Sequence, residues 1–300
     1  MSIAVAVRPA AVAGRFYPGS AHALRREIDA YLEAAPAASQ AIAALAPKMV
    51  LVPHAGYVYS GPVAARAYAC LGALRDRVRR VVLIGPAHRV AVRGVALPLA
   101  DAFETPLGRV SVDAPALATL DGLPQVTVSD LAHAAEHSLE VQLPFLQRVL
   151  GDFGIVPLTV GRAKPEDVAA VLERVWGGDE TLIVVSSDLS HDLPYHEARR
   201  RDKATIDRVL ELDATLDHDE ACGATPLAGA LLAARRHRLV PRLLDLRNSG
   251  DTAGNRQRVV GYAAVAFLPP AARASSAPSV PGAAGTAAAA REGAADGRRA

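Results

Sequence analysis

Only two cysteines, Cys70 and Cys222, occur in the 300-residue chain. That is too few for a disulfide framework and suits a reducing compartment. Aromatic residues make up just 4% of the sequence, and none are interleaved with a basic block. The 33 basic and 31 acidic residues nearly cancel, leaving a formal charge of +2. The electrostatic footprint of a nucleic-acid binder is therefore missing. No apolar run approaches the ~18 residues that mark a membrane helix. At the N-terminus, Arg8 stands where a signal core would continue. The expectation is a soluble, cytoplasmic protein with neither nucleic acid nor membrane among its partners. No internal repeat is visible. Apolar side chains are what the chain has in plenty, at 51% of residues, enough for a large core.

Short, β-rich apolar runs bounded by breakers mark buried strands at Met49 to Val52, Arg80 to Gly85 and Thr181 to Val185. Gly154 to Val160 is a further strand, and weaker candidates flank the turn-like Glu104 to Gly108. Ser20 is placed to cap a helix over residues 21–33, with Leu24, Ile28, Tyr31 and Leu32 on one face. Further helices are expected over about 62–71, 138–150, 165–176, 195–212 and 225–237, and final strands over 239–246 and 259–267. Alternation of strand and helix implies parallel βαβ units. The reading is α/β: residues 1–270 form a single three-layer domain with a central, mostly parallel sheet. Residues 271–300 are Ala, Gly, Ser, Pro and Arg without apolar periodicity. They are expected to be a disordered tail, because they cannot bury enough surface to offset the entropy of ordering.

Three strand ends deliver His54, His88 and the pair Asp188 and His191. In open α/β sheets ligands bind beyond the carboxyl ends of the strands, and imidazoles with carboxylates suit first-row metals. Each residue also has a plainer reading. A histidine after a strand is commonly a loop residue bonded to backbone, and Asp188 is placed to cap a following helix. Glu136-His137, with Glu140 one turn on, reads as an acidic helix start or as a general acid/base imidazole at the mouth of a crevice. Cys222 precedes Gly223 and a helix start at Thr225-Pro226. A thiol so placed is a thiolate ligand or nucleophile, or else a buried structural residue, as Cys70 is expected to be. His22, His133, His196, His218 and His237 are expected to be solvated.

Pro53-His-Ala-Gly-Tyr57, Gly85-Pro-Ala-His88, Glu104-Thr-Pro-Leu-Gly108, Glu136-His-Ser-Leu-Glu140, Ser186-Ser-Asp-Leu-Ser-His191 and Cys222-Gly223 follow one another in order. Together they resemble the Memo family, known in prokaryotes as AmmeMemoRadiSam system protein B. The likeness runs from about Gly14 to Phe267. It implies a fold like that of the class III extradiol ring-cleaving (LigB-like) dioxygenases. It also implies a metal site at His54, His88 and Cys222, completed by His137, Asp188 and His191 as catalytic or supporting groups. Those dioxygenases hold iron with two histidines and a glutamate, whereas Cys222 takes the third position here. A soft thiolate shifts preference toward iron–sulfur-type, zinc or copper chemistry. An iron or copper ion is the cofactor implied, and any activity would be that of a non-haem, metal-dependent oxidoreductase. The alternative is a non-catalytic adaptor that binds a partner's peptide or phosphate in the same pocket. An AMMECR-type domain protein and a radical S-adenosylmethionine protein are the implied partners, beside an unknown small molecule or peptide.

Overall fold

The computed structural model describes residues 5–35 and 42–270. The expected tail, 271–300, lies outside these residues. Among the described residues there are eleven strands: β1 (Val7–Arg8), β2 (Met49–Val52), β3 (Arg80–Pro86), β4 (Val95–Leu97), β5 (Ala102–Thr105), β6 (Gly108–Ser111), β7 (Val126–Val128), β8 (Gly154–Val160), β9 (Thr181–Ser186), β10 (Val240–Asn248) and β11 (Gly261–Leu268). Eight of them form one sheet in the order β10-β11-β2-β9-β3-β8-β4-β7. A second, small sheet has the order β1-β5-β6 and is joined to β8 by a bridge from Val112 to Ile155.

The large sheet is mixed: four of its seven strand pairings are parallel, β4 with β7 among them, and three are antiparallel. Its centre, β2-β9-β3-β8, is parallel. On one side β11 runs antiparallel to β2 and β10 antiparallel to β11; on the other, β4 runs antiparallel to β8. The reversals follow from connection length. β4 returns from β3 after a short loop with no crossover helix, and only a short loop and one helical turn, Ser249–Thr252, separate β10 from β11.

Alternation along the central strands explains why each reads as an unbroken apolar run. Val50, Val81, Leu83, Leu182 and Val184 point to one face, while Leu51, Val82, Ile84, Ile183 and Val185 point to the other. The first face is covered by helices Ala21–Glu33, Tyr57–Tyr68 and Leu143–Val149, and the second by Pro165–Arg174, Tyr195–Leu210 and Ala224–Arg236. Strands buried on both sides lose the polar alternation of a half-exposed sheet.

Ser20 caps the first helix through the Ala23 N–H, as expected. Two helices differ from expectation. The one expected to open at Pro62 begins at Tyr57, with Pro62 inside it. The one expected from Ser138 is an irregular turn followed by an α-helix only from Leu143, where Pro144 sits in the first turn and needs no N–H partner. No described helix is long and apolar enough to cross a membrane.

His133, expected to be solvated, is 2% exposed. Its Nε2–H donates to the Ala96 carbonyl at 2.9 Å and its Nδ1 lies 3.2 Å from the Thr159 hydroxyl. Burial lowers its pKa from 6.5 to about 4. On acidification the unfolded chain takes up this proton near 6.5, while the folded chain refuses it until about 4. His133 therefore leaves stability unchanged above pH 6.5 and erodes it as pH falls toward 4. At pH 5 its share is expected to be about 2 kcal/mol. His54 and His137 act in the same direction, and Asp188 and Asp202, raised to about 6 by burial, act oppositely below that pH. Urea unfolding of wild type and His133→Gln at pH 7 and pH 5 isolates the effect. The gap between them should shrink at pH 5, and an unchanged gap would exclude His133 as its source.

Candidate functional site

Parallel pairing brings the expected residues to one edge. Val52 of β2 is in register with Ser186 of β9, so Pro53-His54 leaves the sheet beside Ser187-Asp188. β3 lies on the other side of β9 and delivers His88. Cys222 arrives from elsewhere, in the turn before the Ala224–Arg236 helix, where its N–H donates to the Asp188 carbonyl. Gly223 is required for this approach. A Cβ there would fall 2.7 Å from the Ser187 Cβ and 3.0 Å from the Ser186 carbonyl oxygen. The Gly223 N–H instead reaches the Ser187 hydroxyl at 2.9 Å.

His54 is 2% exposed, and its hydrogen bonds define its tautomer. Ser186 donates its only hydroxyl proton to the Ser138 carbonyl at 2.6 Å and accepts from Gln142 Nε2 at 2.9 Å. The His54 Nδ1, 2.9 Å from the same hydroxyl oxygen, must be a donor. Its Nε2 therefore carries the lone pair, and this atom faces Cys222 Sγ at 3.2 Å. Burial, then the neighbouring His88 and His137 rings, depress the His54 pKa well below the usual value. Burial and the Asp188 carboxylate push the Cys222 thiol up to about 12. The resting pair is thus a neutral imidazole accepting from a thiol.

His88 is held by Glu136. Its backbone N–H donates to Glu136 Oε2 at 2.6 Å, and its Nδ1 lies 2.9 Å from Oε1. The same carboxylate accepts the His137 and Ser138 N–H groups at 2.9 and 2.8 Å. Burial alone would raise the Glu136 pKa, but the His88 ring and the backbone donors overcome it and bring it to about 2. With Nδ1–H committed to a carboxylate, His88 offers Nε2, the arrangement that commonly orients metal-ligating histidines.

His137 stacks on His88 at 4.7 Å between ring centroids and meets His54 edge-on at 5.4 Å. Burial lowers its pKa to about 4, and its buried Nδ1 has no hydrogen-bond partner. Asp188 does not cap a helix. It is 3% exposed and its Oδ1 accepts the His54 backbone N–H at 2.7 Å, so it clamps the loop that carries His54. His191, exposed at the rim, is turned by its Nδ1 toward the Leu189 carbonyl at 2.9 Å.

Among the described residues, the ligand atoms of His54, His88 and Cys222 lie within 4.8 Å of one another, as do those of His88, Glu136 and His137. The first group fits a metal ion. It supplies a soft sulfur and imidazole nitrogens whose other ring positions are bound, and its N···S distance is near the ~3.5 Å that tetrahedral metal–ligand lengths imply. The second group is supporting structure, because both Glu136 oxygens are already committed to hydrogen bonds.

Sequence reasoning missed the scaffold behind this cluster. Glu140, fully buried, accepts from the Arg8 guanidinium, from the Ala11 and Val12 N–H groups at 2.8 and 3.0 Å, and from the Tyr17 hydroxyl at 2.5 Å. Arg8 also donates to the carbonyls of His133 and Glu136. The N-terminal arm is thereby pinned to the segment bearing Glu136 and His137, and its Phe16 packs on His137 at 4.7 Å. The pairing of Glu136 with His137 in sequence was the only available hint.

Two cavities border the cluster. One, of about 420 Å³, has His88 and Cys222 in its wall. The other, of about 410 Å³, is lined by His137, Asp188 and His191 with Phe16 and Tyr59.

Comparison with known proteins shows the chain's family. MEMO1 family proteins of Aquifex aeolicus and Ignicoccus hospitalis are 35% and 36% identical to the chain. Each alignment covers 87% of the chain and 99% or 98% of the relative, respectively. A solved structure of an uncharacterized protein from Escherichia coli K12 aligns with a TM-score of 0.46 and 17% identity, over 71% of this chain and 98% of that one. The model of the Memo-like protein family matches residues 8–266, from the arginine that pins the arm through most of the last strand, and the chain belongs to that family.

Proposed function

We infer that the protein binds an iron or copper ion through His54, His88 and Cys222 and serves a redox role, on a fold of the class III extradiol dioxygenase type. The observation that supports this most directly is the convergence of one ring nitrogen from each of His54 and His88 and the Cys222 sulfur within 4.8 Å of one another. A bound iron or copper ion would supply one-electron chemistry and a centre for substrate oxygen or nitrogen donors.

The chain's own residues have distinct tasks. Ser186 and Glu136 keep the Nδ1 protons of His54 and His88 away from the ligand face. Cys222 must release its proton to become a thiolate ligand. His137 is the acid/base group: its imidazole is neutral, stacked on His88 and carries a buried Nδ1 that makes no hydrogen bond, 3.4 Å from Glu136 Oε1. Asp188 positions the His54 loop, and His191 borders the neighbouring cavity. An AMMECR-type domain protein and a radical S-adenosylmethionine protein are the partners this reading carries with it, and a reducing cytoplasm suits the thiolate.

Anaerobic purification without chelators, followed by elemental analysis, tests the reading. A stoichiometric redox metal is expected. A protein that stays metal-free after reconstitution with iron(II) and with copper(I) would overturn it and leave a peptide- or phosphate-binding adaptor as the better account.

A further inference from the structure

Of the two cavities, only the one of about 420 Å³ has candidate metal ligands in its wall. A molecule seated there touches His88 and Cys222. The cavity is built from fixed backbone. The loop after β8 crosses the loop before β4 through Gly161 N–H to Gly94 O at 3.0 Å, Arg162 N–H to Val92 O at 2.8 Å and Gly94 N–H to Arg162 O at 2.9 Å. A Cβ at Gly161 would fall 2.1 Å from the Val92 carbonyl oxygen, so the crossing depends on glycine. Such a preformed space is of the size that small organic molecules occupy.

Its lining specifies the chemistry. Val90, Val92, Val160 and Pro226 make an apolar wall. Arg162 is the one formally charged side chain among the lining residues, and no carboxylate accompanies it. Its guanidinium makes no ion pair or side-chain hydrogen bond with any described residue, although its backbone is held on both sides. A second polar point is supplied by His218, whose Nε2 lies 3.3 Å from the Thr225 hydroxyl. An anchored, unpaired arginine at the edge of an apolar chamber suits a carboxylate, which guanidinium binds through two parallel hydrogen bonds.

We propose that this cavity is a substrate chamber for a small organic carboxylate. The carboxylate sits at Arg162, the apolar body lies along Val90, Val92 and Pro226, and the far end reaches His88 and Cys222. Only the last contact rests on the metal reading above; recognition of the acid requires no metal.

The test is titration of the full chain, metal-free and metal-loaded, with cyclohexanecarboxylate and with its primary amide, followed by backbone amide NMR shifts. Binding of the acid to both forms is expected, with shifts at residues 90–92, 161–162 and 218–225. The amide, and the acid against Arg162→Met, should bind at least about tenfold more weakly, the loss expected for a charge-assisted hydrogen bond. Arg258→Met, at the edge of the other cavity, should leave the affinity unchanged. Arg162 and Arg258 are both exposed, so neither variant threatens the fold. The proposal is overturned if no acid binds at millimolar concentration, if Arg162→Met binds as wild type does, or if the shifts gather around Phe16, Tyr59 and Asn255. Metal content, measured on the same samples, separates the two readings. Acid binding by a chain that takes up no metal on reconstitution defeats the metal site alone, and a metal-loaded chain indifferent to the acid defeats the chamber alone.

Discussion

Glu140→Gln is expected to destabilise the protein by about 3–5 kcal/mol, the cost of removing one partner from a buried ion pair. The carboxylate is fully buried and receives four donors: the Arg8 guanidinium, two backbone N–H groups and the Tyr17 hydroxyl. Glutamine has nearly the same shape, so packing is preserved. Its carbonyl can satisfy some of these donors, but its NH₂ faces others with no acceptor between them, and the charge on Arg8 is left uncompensated. Urea unfolding of the full chain measures the loss. A change below about 1 kcal/mol, the size of an ordinary substitution, would show that the arm finds another anchor. Because Arg8 also holds the Glu136 carbonyl, the variant should weaken metal binding too, through the loop that orients His88.

Cys222→Ser should produce the largest change in metal affinity. In the resting site the thiol is pushed up to about 12 by burial and by Asp188, so binding a metal as thiolate must expel its proton. Affinity should therefore rise with pH, by about tenfold per unit from this group alone, throughout the neutral range. The buried, depressed His54 is already unprotonated there and adds no slope. Serine keeps the volume, loses the soft ligand and does not ionise. The slope of log affinity against pH should fall by about one, and copper(I) should be lost far more than iron(II). Glu136→Gln, which loosens His88 without removing a ligand, should cost only ~10–100-fold. Chelator competition across pH measures both variants. Metal K-edge absorption should show a sulfur shell near ~2.3 Å in wild type and not in Cys222→Ser. Identical slopes and spectra would make Cys222 a bystander. His54→Ala is the less clean variant, because that side chain is buried and bonded at both ring nitrogens.

Much of this was legible in the chain itself. Buried parallel strands announce themselves as short β-branched runs, and β2, β3 and β9 were found with boundaries shifted by a residue at most. A histidine or aspartate just past such a run has few places to go other than the shared carboxyl edge, so the sequence alone groups His54, His88 and Asp188. The direction of the flanking strands could not be read in this way. Whether β11 pairs with β2 antiparallel depends on contacts across some two hundred residues.

Residues whose meaning lies in a partner were misread or missed. His133 sits in a polar-looking stretch, yet the Ala96 carbonyl and Thr159 hydroxyl make its burial tolerable. Asp188 had the local pattern of a helix cap, and instead its carboxylate is taken by the His54 backbone. Glu136 and Glu140 read as acids at a helix start, where the regular helix does not begin until Leu143.

The sequence by itself determined the strand runs, the two-faced core and the donor types gathered at one sheet edge, because apolar periodicity and strand termini are local properties of the chain. Only the tertiary structure decided which nitrogen of each imidazole is free, which carboxylates are structural and which cavity meets the ligands. Those outcomes rest on hydrogen bonds between residues far apart in sequence, such as Glu136 to His88 and Ser186 to His54. A buried polar group takes its protonation state from the partner that folding brings to it.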